Sequence, residues 1–190
     1  TSVQLSRIAR TRLSRWMPIK FWSMFKSDLA RFKRKATREN KRLACRPNGT
    51  TDERCEELIR IIRWNPDCDF YDYSAVPDSL DSADELPNYF VTFSRKETAG
   101  NLTHCRTARQ RGYNIAAVCC PDVKRLALRH HPEVFTDFDK HDLRIPSADG
   151  VNKIGLLTPK GRMRKELKPG PGKRMTYRGL TQLLVDFNVI

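Results

Sequence analysis

The chain is 190 residues long, 39% apolar and 31% charged, with a net charge of +14. That length builds one domain with room for an arm, and the apolar content is too high for a chain disordered throughout. No apolar run approaches the roughly 20 residues of a membrane helix, and no GxGxxG, GxxxxGK[ST] or CxxC motif occurs, which argues against membrane spans and the common dinucleotide, phosphate-loop and zinc-ribbon classes.

The charge is unevenly distributed. Residues 1–50 carry 14 basic and 2 acidic side chains, residues 51–100 carry 5 and 12, residues 101–150 carry 8 and 6, and residues 151–190 carry 9 and 2. A basic arm, an acidic middle and a basic tail imply that the ends meet a polyanion or pack on the middle.

Residues 1–20 are short apolar beads between Arg7, Arg10, Arg12, Arg15 and Lys20, interrupted at Met17-Pro18. They read as a basic amphipathic helix or a flexible arm, without the continuous apolar stretch of a secretory signal; the Arg- and Ser-rich composition also imitates a mitochondrial transit peptide. From Phe21 to about Leu43 the spacing predicts a helix. Phe21, Phe25, Leu29, Phe32 and Ala36 form one apolar stripe that should anchor it in the core. Arg31, Arg34, Lys35, Arg38, Lys41 and Arg42 share another face, with Glu39 beside them. Six like charges on one face repel, so this is either a solvated face or a surface for a polyanion.

Thr50 and Glu53 form a capping box for a helix that carries Cys55, Leu58, Ile59 and Ile62 and ends near Trp64-Asn65-Pro66. A strand at Phe70–Tyr73 follows, then an acidic stretch from Val76 to Pro87 that reads as a mobile connection. Strands are predicted at Tyr89–Phe93, Ile115–Cys119, Val134–Phe138 and Ile154–Leu157, with helices at Asn101–Arg111, closed by Gly112, and Asp122–Arg129. Apolar strands alternating with helices imply an α/β fold, a single mainly parallel sheet or partial barrel, with a basic helical amino-terminal arm. The organisation is then arm and amphipathic helix over residues 1–43, α/β domain over 44–166, and linker with docking segment over 167–190. Gly170-Pro171-Gly172-Lys173 reads as a turn, and Leu180, Leu183 and Leu184 as a last docking helix.

Functional groups of parallel sheets gather at the carboxyl ends of strands. Those ends hold Asn48, Thr50, Thr51 and Asp52 after the first strand, Asp72 and Tyr73 in the second, and Ser94 and Arg95 after the third. Asp137, Asp139 and Asp142 follow the fifth, and Lys160 and Arg162 the sixth. Carboxylate pairs of this kind bind a divalent metal for phosphoryl chemistry, although aspartates also cap helices and end strands. No other cofactor is indicated. His104, His130, His131 and His141 form no nucleophile or metal pattern, and the six cysteines match no disulfide or zinc framework, so free thiols are expected. The sequons at Asn48 and Asn101 are read as chance matches.

The ordered blocks Arg46-Pro47-Asn48-Gly49-Thr50-Thr51-Asp52, Phe70-Tyr71-Asp72-Tyr73, Pro87 to Ser94, Gly112 to Val118, Asp137 to Arg144 and Gly155 to Lys165 resemble a family of uncharacterised bacteriophage and prophage proteins, over roughly residues 20–166. The resemblance implies a partial barrel of alternating strands and helices and no particular reaction. The chain departs from the pattern at Phe138, in place of a glycine between paired aspartates, and in its strongly basic arm.

The leading expectation is a non-enzymatic phage or mobile-element protein that binds DNA or RNA in the host bacterial cytoplasm. Its contacts would be Arg31, Arg34, Lys35, Arg38, Lys41 and Arg42 with Lys160, Arg162, Arg164 and Lys165, and Trp16, Trp22 and Tyr177 lie among cations as stacking partners. One alternative is a host-directed protein that binds a bacterial protein or nucleoprotein complex through the acidic middle. Another is a metal-dependent enzyme acting on nucleotides or nucleic acid through the strand-end carboxylates. No membrane partner is expected.

Overall fold

The computed structural model describes residues 2–49, 55–98, 100–160, 182 and 184–187. The Thr50–Glu53 cap, Thr51, Asp52, Arg162, Arg164, Lys165, Tyr177 and the 168–173 turn lie outside the described residues.

Helices α1 (Ser2–Trp16) and α2 (Pro18–Arg38) meet at Met17, whose φ of −137° and ψ of 59° leave the helical region. Pro18 causes the break, because its ring disfavours the α conformation at the residue before it, and then opens α2 at a position where no N–H is needed. Leu29 is buried, and Trp22 and Phe25 pack against the same core. Phe32 departs from expectation. It is 48% exposed, with the Arg31 guanidinium 5.1 Å from its ring centroid. The apolar stripe therefore leaves the core after Leu29. The helix also stops at Arg38 rather than near Leu43, where Asn40 takes a left-handed φ of 50° and frees Leu43–Cys45 to become strand β1.

The chain then alternates α3 (Glu56–Arg63), β2 (Cys68–Ser74), α4 (Ser79–Glu85), β3 (Tyr89–Ser94), α5 (Asn101–Gln110), β4 (Asn114–Val118), α6 (Pro121–His130), β5 (Phe135–Asp137), α7 (Pro146–Asp149) and β6 (Ile154–Leu157). Helix α4 stands where a mobile connection was expected. Leu80, Ala83 and Leu86, three residues apart, are buried and hold it down.

The strands form one six-stranded sheet in the order β1-β2-β3-β4-β6-β5, every pair parallel. The fold is α/β, and the sheet is open, with β1 and β5 at its edges. Register puts Phe70, Val91, Phe93, Ile115, Ala117, Ile154 and Leu156 among those on one face, clustered with Ile61 and Ile62 of α3, Leu80 of α4, Ala108 of α5 and Ala127 of α6. Parallel crossovers are right-handed, so a chain that advances across the sheet lays its helices on one face. The single backward step, from β5 to β6, lays its connection on the other face. Phe138 and Arg144 of that connection are buried there, Phe138 over Gly155 and Arg144 against Tyr73. Leu184 and Phe187 also enter the core, beside α5, where Arg106 donates to the Asp186 carbonyl at 2.8 Å.

Candidate functional site

The carboxyl rim of the sheet carries two separate polar clusters. At the first, the Asp72 carboxylate accepts from the Asn48 backbone N–H (2.9 Å), Asn48 Nδ2 (3.2 Å) and the Tyr89 hydroxyl (3.1 Å). Asp72 is 1% exposed. Burial outweighs those bonds and pushes its carboxyl up to about 6. The two Asn48 bonds pin the turn after β1, and Arg46 lies with its guanidinium 4.7 Å from the Tyr73 ring centroid and Nη1 3.1 Å from Asp142. Arg46 Nε is buried with no hydrogen-bond partner among the described residues.

Because its pKa is raised in the native state, Asp72 favours folding below the unfolded aspartate value and loses that contribution as pH rises through about 6. At about 1.4 kcal/mol per pKa unit, the loss amounts to about 3 kcal/mol between pH of about 4 and about 7. Urea unfolding across that range should show this slope in the wild type and lack it in Asp72→Asn; identical pH profiles would contradict the assignment.

A cavity of about 360 Å³ opens between this turn and the arm. Arg7, Arg10, Thr11 and Ser14 of α1, Phe21, Trp22 and Phe25 of α2, and Arg46–Gly49 with Asp142 line it. It brings together Asn48 and Asp142 from the expected rim set.

The second cluster lies at β5 and β6. Lys124, 7% exposed, donates to Asp137 and, at 2.8 Å, to Asp139. Asp139 also accepts from the Thr158 N–H (2.8 Å) and hydroxyl (2.7 Å), and Lys160 Nζ lies 3.5 Å away. Burial alone would raise the Asp139 carboxyl, but these partners outweigh it and hold it well below the usual carboxylate range. A carboxylate so strongly held accepts a proton poorly, so this is a fixed ion-pair network. Ser94, at the end of β3, is bound elsewhere: its carbonyl accepts from Asn101 Nδ2 of α5 at 3.2 Å. The rim carboxylates are thus divided between two sets of partners, and among the described residues no three His, Cys, Asp or Glu side chains form a metal-ligating group.

The basic face is also divided. Lys26, Lys33 and Arg42 turn to the acidic middle, pairing with Glu57 (2.8 Å), Asp67 (2.7 Å) and Asp69 (2.7 Å). Arg42 holds Asp69 with two nitrogens while its side chain stays 56% exposed. Lys41, beyond the end of α2, pairs with Glu39 at 2.9 Å instead of extending the helical face. Arg31, Arg34, Lys35 and Arg38 remain on the solvent side, with Asp28 2.9 Å from Arg31 and Glu39 3.8 Å from Lys35.

The six cysteines are free thiols, and burial pushes Cys45, Cys68 and Cys119 up to about 12. No helix among the described residues is long and apolar enough to cross a membrane.

The sequence matches Gene product 88, a phage-type uncharacterised family, over residues 1–169. The chain belongs to that family. The matched span begins at residue 1, so the basic helix α1 falls within the Gene product 88 region, not ahead of it. No curated protein and no solved structure matches the chain.

In this Gene product 88 protein the residue departing from the recognised pattern, Phe138, has a structural partner that spacing did not reveal. Its ring covers Gly155 and lies 3.9 Å from the guanidinium carbon of Arg144. Arg144, 1% exposed, donates through Nη1 to both Asp149 oxygens (2.6 and 2.8 Å), through Nη2 to the Phe138 and His141 carbonyls, and through Nε to the Tyr73 hydroxyl. All three of its nitrogens are therefore engaged. Arg144 is an internal strut and offers nothing to a ligand. The sequence reading gave no site role to Arg46, Lys124, Arg144 or Asp149, although Arg46 and Arg144 stand in the blocks that carry the family resemblance. The signal for Arg144 is its place between the apolar residues Leu143 and Ile145.

Proposed function

We propose that this Gene product 88 protein is a non-enzymatic nucleic-acid-binding protein of the bacterial host cytoplasm, engaging DNA or RNA through α1 and the solvent side of α2. One observation carries the reading: the cations sort into two populations. Lys26, Lys33 and Arg42 are paired with the acidic middle, whereas Arg7, Arg10, Arg12, Arg15, Arg34 and Arg38 have no carboxylate in ion-pair range among the described residues. Unpaired guanidinium groups displace the counterions condensed on phosphates, which is the main source of sequence-independent affinity. Trp16 supports the reading, being 74% exposed with Arg12 5.7 Å from its ring centroid, an arrangement suited to stacking on an unpaired base. Lys160, with Arg162, Arg164 and Lys165 beyond the described residues, is assigned to the same partner.

The host-directed alternative has less support. Glu57, Asp67, Asp69, Asp81 and Asp84 of the acidic middle are already paired within the chain.

The test is a salt series of binding isotherms with duplex DNA, comparing the wild type with a variant carrying Arg31→Glu, Arg34→Glu, Lys35→Glu and Arg38→Glu. These exposed side chains support no core packing, so the thermal melt should be retained. Affinity should fall, and the slope of log K against log salt should become shallower by about 0.9 for each duplex phosphate no longer neutralised. Unchanged affinity and slope in the folded variant would return α2 to the status of a solvated face.

A further inference from the structure

We propose that the cavity between α1, α2 and the turn after β1 is a binding site for a single nucleotide: a strand end, or a nucleotide turned out of the strand. The inference rests on the nucleic-acid reading above and adds what the cavity selects. Its volume of about 360 Å³ falls in the range of small-molecule sites, roughly 300–1,000 Å³, and suits one nucleotide rather than a helix.

The walls divide by chemistry. Among the described residues Arg7, Arg10 and Arg46 supply three guanidinium groups against one carboxylate, that of Asp142, a balance that favours an anion. Arg46 differs from the two surface arginines in being stacked on the Tyr73 ring, while its Nε–H is buried without an acceptor among the described residues. A planar guanidinium fork whose Nη1 meets only the exposed Asp142 matches a phosphate, which accepts from two guanidinium nitrogens at once. Asp142 is no obstacle. It is 70% exposed and only 3.1 Å and 3.4 Å from Arg46 Nη1, a surface pair of little strength that a phosphate can displace.

A second part of the lining, on α2, is aromatic. Phe21, Trp22 and Phe25 form an edge-to-face series with centroids 4.9 and 5.6 Å apart, and a nucleobase packs well against such rings. The hydroxyls of Thr11 and Ser14 donate to the carbonyls of Arg7 (3.1 Å) and Thr11 (3.0 Å). Their protons are thereby used, which leaves oxygen lone pairs to accept from a base amino group. Inorganic phosphate would use only one wall and a nucleoside only the other.

The experiment is titration calorimetry at low salt with adenosine 5′-monophosphate, adenosine, inorganic phosphate and a short single-stranded oligonucleotide. The monophosphate should bind at one site, with adenosine and phosphate each weaker by about tenfold or more. Arg46→Ala should weaken the monophosphate by about 10–100-fold, the range for losing charge-assisted hydrogen bonds. Ser14→Phe, on the surface helix, fills the cavity and keeps every charge; it should abolish monophosphate binding while retaining the thermal melt. Arg34→Glu with Arg38→Glu should weaken the oligonucleotide and leave the monophosphate unchanged. Oligonucleotide binding without monophosphate binding, or monophosphate binding that survives Ser14→Phe, overturns the cavity site and leaves the nucleic-acid reading standing. Monophosphate binding blocked by Ser14→Phe, with no oligonucleotide binding, supports the site and overturns the nucleic-acid reading. Failure of both ligands overturns both.

Discussion

Asp149→Ala is expected to lower the stability of the fold by about 3–5 kcal/mol, the cost of leaving a buried charge without its partner. The reason is the position of Arg144. Its side chain is fully enclosed, and Asp149 takes both Nη1 hydrogen bonds. Removing the carboxylate leaves a guanidinium that can neither reach water nor lose its proton. Replacing Arg144 and Asp149 together by leucine should cost much less, since no charge then remains to be solvated. Urea denaturation with an unchanged m-value is the measurement. A single-variant loss below about 1 kcal/mol would mean that water reaches Arg144 in solution.

The second large effect concerns Phe138 and Gly155. Phe138→Ala should cost about 3–5 kcal/mol, as expected for a buried ring. Gly155→Ala should cost about 1–3 kcal/mol, because the added Cβ would overlap the Phe138 ring. The informative result is their combination. With the ring gone the extra methyl has space, so the double variant should be more stable than the sum of the two losses predicts. Strict additivity in a double-mutant cycle would show that the two residues do not touch. The same packing explains why an aromatic side chain is tolerated between Asp137 and Asp139: the ring fills the space left by the missing side chain of the neighbouring strand.

The central strands were legible because apolar residues dominate them, and Ile115–Ala117 and Tyr89, Val91 and Phe93 are buried, although Val118 at the end of β4 is 51% exposed. The helical half of the arm was legible for the same reason, up to Leu29. Beyond it, periodicity alone gave Phe32 and Ala36 the same standing as Leu29, since spacing cannot reveal where a domain surface ends. Helix α4 escaped notice because SLDSADE is acidic and rich in serine, and only the burial of Leu80, Ala83 and Leu86 in the tertiary fold holds it. The rim was legible as a set of polar residues but not as two clusters. Tyr73 and Arg144 are 71 positions apart and Arg46 and Asp142 are 96 apart, and no local pattern encodes such pairings.

The strand order carries a consequence for how the chain assembles as it leaves the ribosome. Strands β1 to β4 are neighbours in sequence and in space, so each can join the growing sheet as soon as it emerges. Strand β5 then has no adjacent partner. Its one neighbour among the described residues is β6, which must enter between β4 and β5 and close the gap last. Until then one flank of β4 stays open, an unpaired edge of the kind that invites association with other nascent chains. Strand β6 is the keystone. Its glycine lets it slide beneath Phe138, and its arrival converts a four-stranded intermediate with one unattached strand into the closed order of the finished sheet.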